Sequence, residues 1–168
     1  PSNITVTAGN AIEVGKNAKL TTASKTGDAG NITLKTQGDL TVKSGAKINA
    51  SSARGNGGVV DFSADGMFDI GNKVQVNLAA PNGRQGTLVL DPVDIIVGDA
   101  AQGDANVNMS NATVAAAIAA LNGTGTFTLL ASNSITIGQH GRIDAGASGV
   151  NVTLSAPTLT LLAGSYVR

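Results

Sequence analysis

Cysteine and tryptophan are absent from this 168-residue sequence, and other aromatic residues are almost absent. The aromatic side chains are those of Phe62, Phe68, Phe127 and Tyr166. Without cysteine the chain can form no disulfide. With so few aromatic rings, the core must be built from Val, Ile, Leu and Ala.

Charge and long apolar runs are also scarce. Charged residues make up 13% of the chain, and 11 Lys and Arg balance 11 Asp and Glu. The basic residues form no stripe, which excludes a nucleic-acid partner on electrostatic grounds. No run reaches about 18 apolar residues, so we predict no membrane span. No signal peptide is visible and the chain starts at Pro1, so we expect an internal or processed segment of a longer protein.

Glycine, asparagine, threonine and serine are plentiful beside the aliphatic residues, and glycine alone occurs 22 times. Aliphatic and threonine residues favour strands, whereas glycine, asparagine and serine favour tight turns. The composition therefore indicates many short strands, and 168 residues suffice for one domain with a sizeable core.

A repeat of about 28 residues runs through residues 1–97. Each period contains three apolar pairs spaced i, i+2, which mark short strands with one buried face. Apolar residues one period apart form columns, of which two are Ile4, Ile32, Val60 and Leu88, and Ile12, Leu40, Phe68 and Ile96. Three strands per period predict an all-β, right-handed parallel β-helix of about six coils, with like residues stacked inside.

The repeat breaks between residues 98 and 125, and we predict an insertion there that contains a short helix. Ser110 or Asn111 can cap the helix, and Val114, Ile118 and Leu121 lie on one face. We expect the helix to lie against a side of the solenoid or to shield it. Strands return over residues 126–168 with a period nearer 25, so we predict shorter coils within the same single domain, 1–168.

Few residues offer chemistry. His140, the only histidine, lies at a predicted corner with no identifiable partner for a triad or a metal. Carboxylates that could pair as in polysaccharide-degrading β-helices are Asp61 with Asp69, and Asp91 near Asp94, but aromatic sugar platforms are missing. Asp99 and Asp104 could contribute to a calcium site, although the glycine-rich calcium repeat is absent. We therefore predict no catalytic residue, no cofactor and no metal.

Two other features could contact a partner. The longest corner of each coil is variable and exposed, and it contains Arg54 and Arg84, which we take as candidate partner-binding residues. The strands at both ends of a solenoid lack neighbours, and nothing in residues 2–6 or 159–168 is an obvious cap. Either the parent chain continues the solenoid, or separate copies stack end to end.

Residues 86–137 resemble the filamentous-haemagglutinin-like exoproteins of two-partner secretion systems. The resemblance lies in Leu90-Asp91-Pro92, the strand at 94–97, the helix at 111–121 and the alternating strand at 126–137; the Gly-Asp-Leu-Thr-Val unit at 38–42 is also similar. That family's amino-terminal secretion domain is not evident in this chain.

The resemblance implies a Gram-negative bacterium, export through an outer-membrane transporter and location at the cell surface. Absence of cysteine suits such export, because no disulfide can trap the chain midway. We therefore expect a structural or adhesive shaft segment in adhesion or biofilm formation, with possible filament assembly as an open question. The alternatives are a module that binds host glycan or protein, and a polysaccharide-degrading β-helix enzyme.

Overall fold

A computed structural model describes residues 2–168. The elements in chain order are β1 (Ile4–Ala8), β2 (Ala11–Val14), β3 (Lys19–Thr21), β4 (Ile32–Thr36), β5 (Asp39–Val42), β6 (Lys47–Asn49), β7 (Val59–Ala64), β8 (Phe68–Ile70), β9 (Gln75–Asn77), β10 (Thr87–Leu90), β11 (Asp94–Gly98), a 3-10 turn (Ala100–Gln102), β12 (Met109–Ser110), α1 (Asn111–Ala120), β13 (Thr126–Leu130), β14 (Ser134–Ile137), β15 (Arg142–Ile143), a second 3-10 turn (Gly146–Ser148), β16 (Asn151–Ser155), β17 (Thr158–Leu161) and β18 (Tyr166–Val167).

The strands form the three sides of a parallel β-solenoid with about six coils, as the repeat predicts. The first side is a six-stranded sheet in the order β1-β4-β7-β10-β13-β16, and the second is a seven-stranded sheet. The third side consists of β3-β6-β9 and, further up, β15-β18. Because strands one coil apart are about 4.8 Å apart, six coils make a stack about 25 Å long.

The predicted register is confirmed in the first coils. Ile4 pairs with Ile32, Ile32 with Val60, and Leu88 with Val60, so equivalent residues stack at the 28-residue step. Their side chains point inward, and Ile32, Val60 and Leu88 are fully buried. Burial of one such aliphatic side chain stabilises the fold by roughly 1.5–3 kcal/mol relative to an exposed one. The shorter 25-residue step of the last coil is also confirmed, since Thr126 pairs with Asn151.

The fourth coil differs from the prediction. On the second side the strand order is β8-β12-β11-β14, so the chain first forms the upper strand β11 and then returns to insert β12 beneath it. Met109 pairs with Phe68 on one side and with Val97 on the other. The placement of Ile96 in the buried column was therefore wrong. Ile96 is only partly buried, while Ile95 and Val97 fill the core, because β11 lies one level higher and its alternation is shifted by one residue.

The helix α1 also lies elsewhere than expected. It contacts β9 below and β15 above, and so occupies the place of a strand on the third side of the fourth coil. The predicted cap is confirmed, because the Ser110 hydroxyl accepts a hydrogen bond from Thr113 N–H at 3.1 Å. The predicted apolar face is confirmed too, since Val114, Ile118 and Leu121 are buried in the solenoid core.

Asn108 completes the ladder where β12 is too short. Its side-chain amide donates to Asp94 C=O at 2.7 Å, and its side-chain oxygen accepts from Ile96 N–H at 2.8 Å. Its own backbone C=O accepts from Phe68 N–H. One asparagine thus bridges β8 and β11 at the point where a strand residue is missing. No helix within residues 2–168 has the length and apolar character needed to cross a membrane.

Candidate functional site

The long corner between the third and first sides is the first candidate surface. Its backbone is held by side chains: buried Ser52 donates to Gly27 C=O at 2.6 Å and accepts from Gly55 N–H at 2.8 Å. Asparagine and aspartate side chains link successive coils, as in the hydrogen bond from Arg84 N–H to the side chain of Asn56 at 2.9 Å. This fixed backbone presents the side chains of Arg54 and Arg84 to solvent.

Lys25 joins the two arginines on this corner. Ser24 pairs with Ser52 across one coil, so Lys25 precedes Arg54 by one coil and Arg84 follows by another. None of the three takes part in an ion pair with any residue from 2 to 168. We call Lys25, Arg54 and Arg84 the basic corner. Sequence reasoning missed Lys25, which the 28-residue step aligns with Ala53 rather than with Arg54.

The structure does not pair the candidate carboxylates Asp61 and Asp69. Asp61 lies on β7, on the first side, and Asp69 lies on β8, on the second side, so they face different directions. The structure instead brings Asp61 near Asp91 and Lys35. Burial, and next the charge of Asp91, raise the pKa of Asp61, whereas Lys35 lowers it. Burial likewise raises the pKa of Asp91.

This acidic pair lacks the other parts of a glycosidase site. Asp61 Oδ1 is buried and has no hydrogen-bond partner within the described residues. Neither Asp61 nor Asp91 lines the groove between β9 and α1 or the groove around Lys16 and Lys43. Asp94, the other candidate, accepts hydrogen bonds from the side chains of Asn133 and Ser134 and fixes the second side. The geometry therefore assigns Asp94 a structural role.

His140 lies in a turn, and Asp104 binds the backbone of this turn. Its backbone N–H donates to Asp104, and its Nδ1 lies 3.4 Å from Asp104 Oδ1 without hydrogen-bond geometry. Asp104 also accepts from Asp99 N–H at 2.9 Å, and its side chain is almost fully buried. The bond from Asp99 is the main cause that holds the pKa of Asp104 below its usual range, with His140 adding to it.

The possible calcium ligands Asp99 and Asp104 both bind backbone amides. Asp99 caps the first 3-10 turn by accepting from Ala101 N–H, and Asp104 fastens the insertion to the corner that contains His140. Between residues 2 and 168, no three His, Cys, Asp or Glu side chains form a group that could hold a metal ion. The carboxylates of Asp99 and Asp104 therefore hold backbone segments in place in this structure.

Both ends of the solenoid expose inward-facing apolar side chains. Val6 in the first coil is 40% exposed, whereas Leu34, directly above it, is 1% exposed. In the last coil Leu159 and Leu161 are 49% and 51% exposed. The strands β1 and β2 at one end, and β16 and β17 at the other, lie at sheet edges with unpaired backbone groups. These two surfaces are called the open ends.

The third side of the last coil has one charged feature that the sequence did not suggest. Arg168 donates two hydrogen bonds to Asp144 Oδ2 and lies over the ring of Tyr166, 5.2 Å from its centroid. The bond from Arg168 is the main cause that lowers the pKa of Asp144. This group covers a corner of the end, while the leucines of β17 stay exposed.

Comparisons with family models, with curated proteins and with solved structures found no match to this chain.

Proposed function

We propose that this chain is a structural segment of the shaft of a secreted bacterial surface protein. The observation that carries the proposal is the pair of open ends on an otherwise closed core. Exposed aliphatic side chains and unpaired strands are the surfaces onto which a further coil adds without any change of register. Further coils of the parent chain, or a second copy stacked end to end, cover them.

Several features support a passive, extended role. The first and second sides are continuous from the first coil to the last, and on the third side the helix of the insertion takes the place of a strand in the fourth coil. Side chains tie successive coils together at the corners. Because residues 86–137 resemble two-partner-secretion exoproteins, the proposal includes export through an outer-membrane transporter and a role in adhesion or biofilm formation.

An antibody raised against the folded segment tests the surface location. We expect it to label intact cells of the source bacterium or a protein in the culture medium, and protease treatment of intact cells should remove the signal. Labelling only after cell lysis would contradict a surface role. A cytosolic protein labelled in the same cells is the control for cell integrity.

A second candidate function is binding of an anionic glycan at the basic corner. Lys25, Arg54 and Arg84 present three positive charges on consecutive coils, on a backbone that the Ser52 hydrogen bonds hold rigid. Three positive charges on one corner are complementary to sulfate or carboxylate groups along a polysaccharide, which bind by charge-assisted hydrogen bonds.

Retention on an immobilised sulfated polysaccharide tests this candidate. The double variant Arg54→Ser/Arg84→Ser should elute at a lower salt concentration than the wild type. The matched control is Lys47→Ser/Lys19→Ser, which removes two exposed lysines from β3 and β6 on the third side. Equal losses in the two variants would indicate unspecific charge attraction and would reject the basic corner as a site.

A further inference from the structure

A groove of about 960 Å³ lies on the third side between β9 and α1, in the fourth coil. The lower wall consists of residues 72–77, and the upper wall is the outer face of α1 with Ala112, Ala115 and Ala119 exposed. It exists because a helix replaces a strand here: α1 fills the core with Val114 and Ile118, but it cannot pair with the edge of β9.

The upper edge of β9 directs unpaired backbone groups towards this groove. Gln75 N–H donates to Ala46 C=O, and Asn77 C=O accepts from Ala50 N–H, so these two residues face β6. Residues of a parallel strand alternate between its neighbours, so Val76 faces the opposite way, together with Val74 C=O and Leu78 N–H. None of these groups has a hydrogen-bond partner among residues 2–168.

The charge at one end of the groove is positive. Lys73 lines the groove and also a second groove of about 570 Å³, which is lined by Lys16, Lys43 and Glu13 as well. Lys43 is paired with Glu13 at 3.5 Å, whereas Lys16 and Lys73 have no ion-pair partner within the described chain. The end of the groove at the amino end of β9 therefore attracts negative charge.

We infer that this groove binds an extended peptide of a partner protein, which adds to β9 as a parallel strand in the open groove between β9 and the outer face of α1. Its backbone would satisfy the unpaired groups of Val74, Val76 and Leu78, as in other cases of strand addition. Its side chains against α1 must be small, because the alanine face lies close. Its amino-terminal end carries Asp or Glu beside Lys73. This site is independent of the open ends and of the proposed shaft role.

The probe is a synthetic peptide with capped ends, two aspartates at its amino end and an alternating Thr-Ala sequence after them. Two N-methylated versions provide matched controls: one methylates the amides that face β9, and the other methylates the alternate amides. Titration calorimetry with the full chain should give binding for the unmodified peptide and for the second version. The first version should lose at least tenfold in affinity, because it cannot donate to β9.

Two variants test the walls of the groove. Ala115→Leu fills the groove from the exposed face of α1 and should weaken binding at least tenfold, whereas Ala101→Leu, on an exposed alanine outside the groove, should leave it unchanged. Lys73→Asn removes the positive charge. Asparagine is suited to this position, because Asn17 has the same left-handed backbone conformation at the equivalent corner. It should weaken binding several-fold, and the loss should shrink at high salt. Unchanged circular dichroism checks the fold of each variant.

Several outcomes would overturn the inference. One is no binding of the unmodified peptide at millimolar concentration, and another is equal binding of both methylated versions. A third is self-association of the wild type that Ala115→Leu abolishes, because the occupant would then be a second copy rather than a partner peptide.

Discussion

Asp61 is a charged residue in a position that lowers the stability of the fold. It faces outward between Thr33 and Val89 of the neighbouring strands, is half-buried, and leaves one carboxylate oxygen without a hydrogen bond. The charge of Asp91 adds to the cost. A residue that lowers the stability of a regular sheet is either tolerated because the stack is stable enough, or retained for contact with a partner.

Asp61→Asn should raise the melting temperature at neutral pH by about 1–3 °C, because the substitution removes a partly desolvated charge. The folded pKa of Asp61 is raised above 3.8, so protonation favours the folded state as the pH falls. The benefit of the variant should therefore vanish once the pH falls below about 3.8 and the wild-type carboxyl is neutral in both states. Thermal unfolding at pH 7 and pH 3 measures both effects.

Asp69→Asn is the control, because Asp69 is an exposed carboxylate on the adjacent side of the same coil. It should change the melting temperature little at either pH. A fall in the melting temperature of Asp61→Asn at pH 7, or an equal gain at pH 3, would contradict the pKa argument.

At the scale of single elements, the two-residue strand β12 explains how the irregular fourth coil fits a regular stack. Met109 is fully buried between Phe68 and Val97, and Asn108 supplies the missing ladder bonds with its side chain. The return of the chain from β11 to β12 thus closes the second side without a gap.

Met109→Ala should destabilise the chain by about 2–5 kcal/mol, the usual cost of a cavity left by a large buried side chain. Met67→Ala is the matched control, since Met67 is the other methionine and is 54% exposed. It should cost less than about 0.5 kcal/mol. Chemical denaturation measures both values, and similar small losses in the two variants would show that β12 is not part of the core.

The regular strands could be predicted from the sequence because each coil needs the same type of residue at the equivalent position, 28 residues further along the chain. A parallel stack needs like residues above like, so Ile4, Ile32, Val60 and Leu88 reveal the register. The helix was equally visible, because Ser110 and the spacing of Val114, Ile118 and Leu121 are local signals. These signals are local and do not depend on the order of the strands in space.

The fourth coil could not be predicted, because its order in space differs from its order in sequence. β12 is two residues long and carries no alternation, so nothing local identifies it as a strand between β8 and β11. The same limit applies to the candidate sites. Asp104 and His140, 36 residues apart, and Asp61 and Asp91, 30 apart, are neighbours only once the coils are stacked.

At the scale of the whole molecule, we propose that the open ends are joining surfaces. The interior columns are closed by the coil above and below everywhere except at the first and last coils. Leu159 and Leu161 at one end, and Val6 at the other, are then the side chains that further coils cover.

Negative-stain electron microscopy of the purified segment at high concentration tests this claim most directly. The wild type should form end-to-end stacks one solenoid wide, and the double variant Leu159→Lys/Leu161→Lys should form single particles, because charge at the end opposes apolar stacking. The control Val59→Lys/Val93→Lys, which changes exposed valines away from the ends, should still form stacks. Single particles of the wild type would contradict stacking of separate copies and leave further coils of a longer chain as the cover, whereas stacks that persist in the end variant would contradict the claim that the ends are joining surfaces.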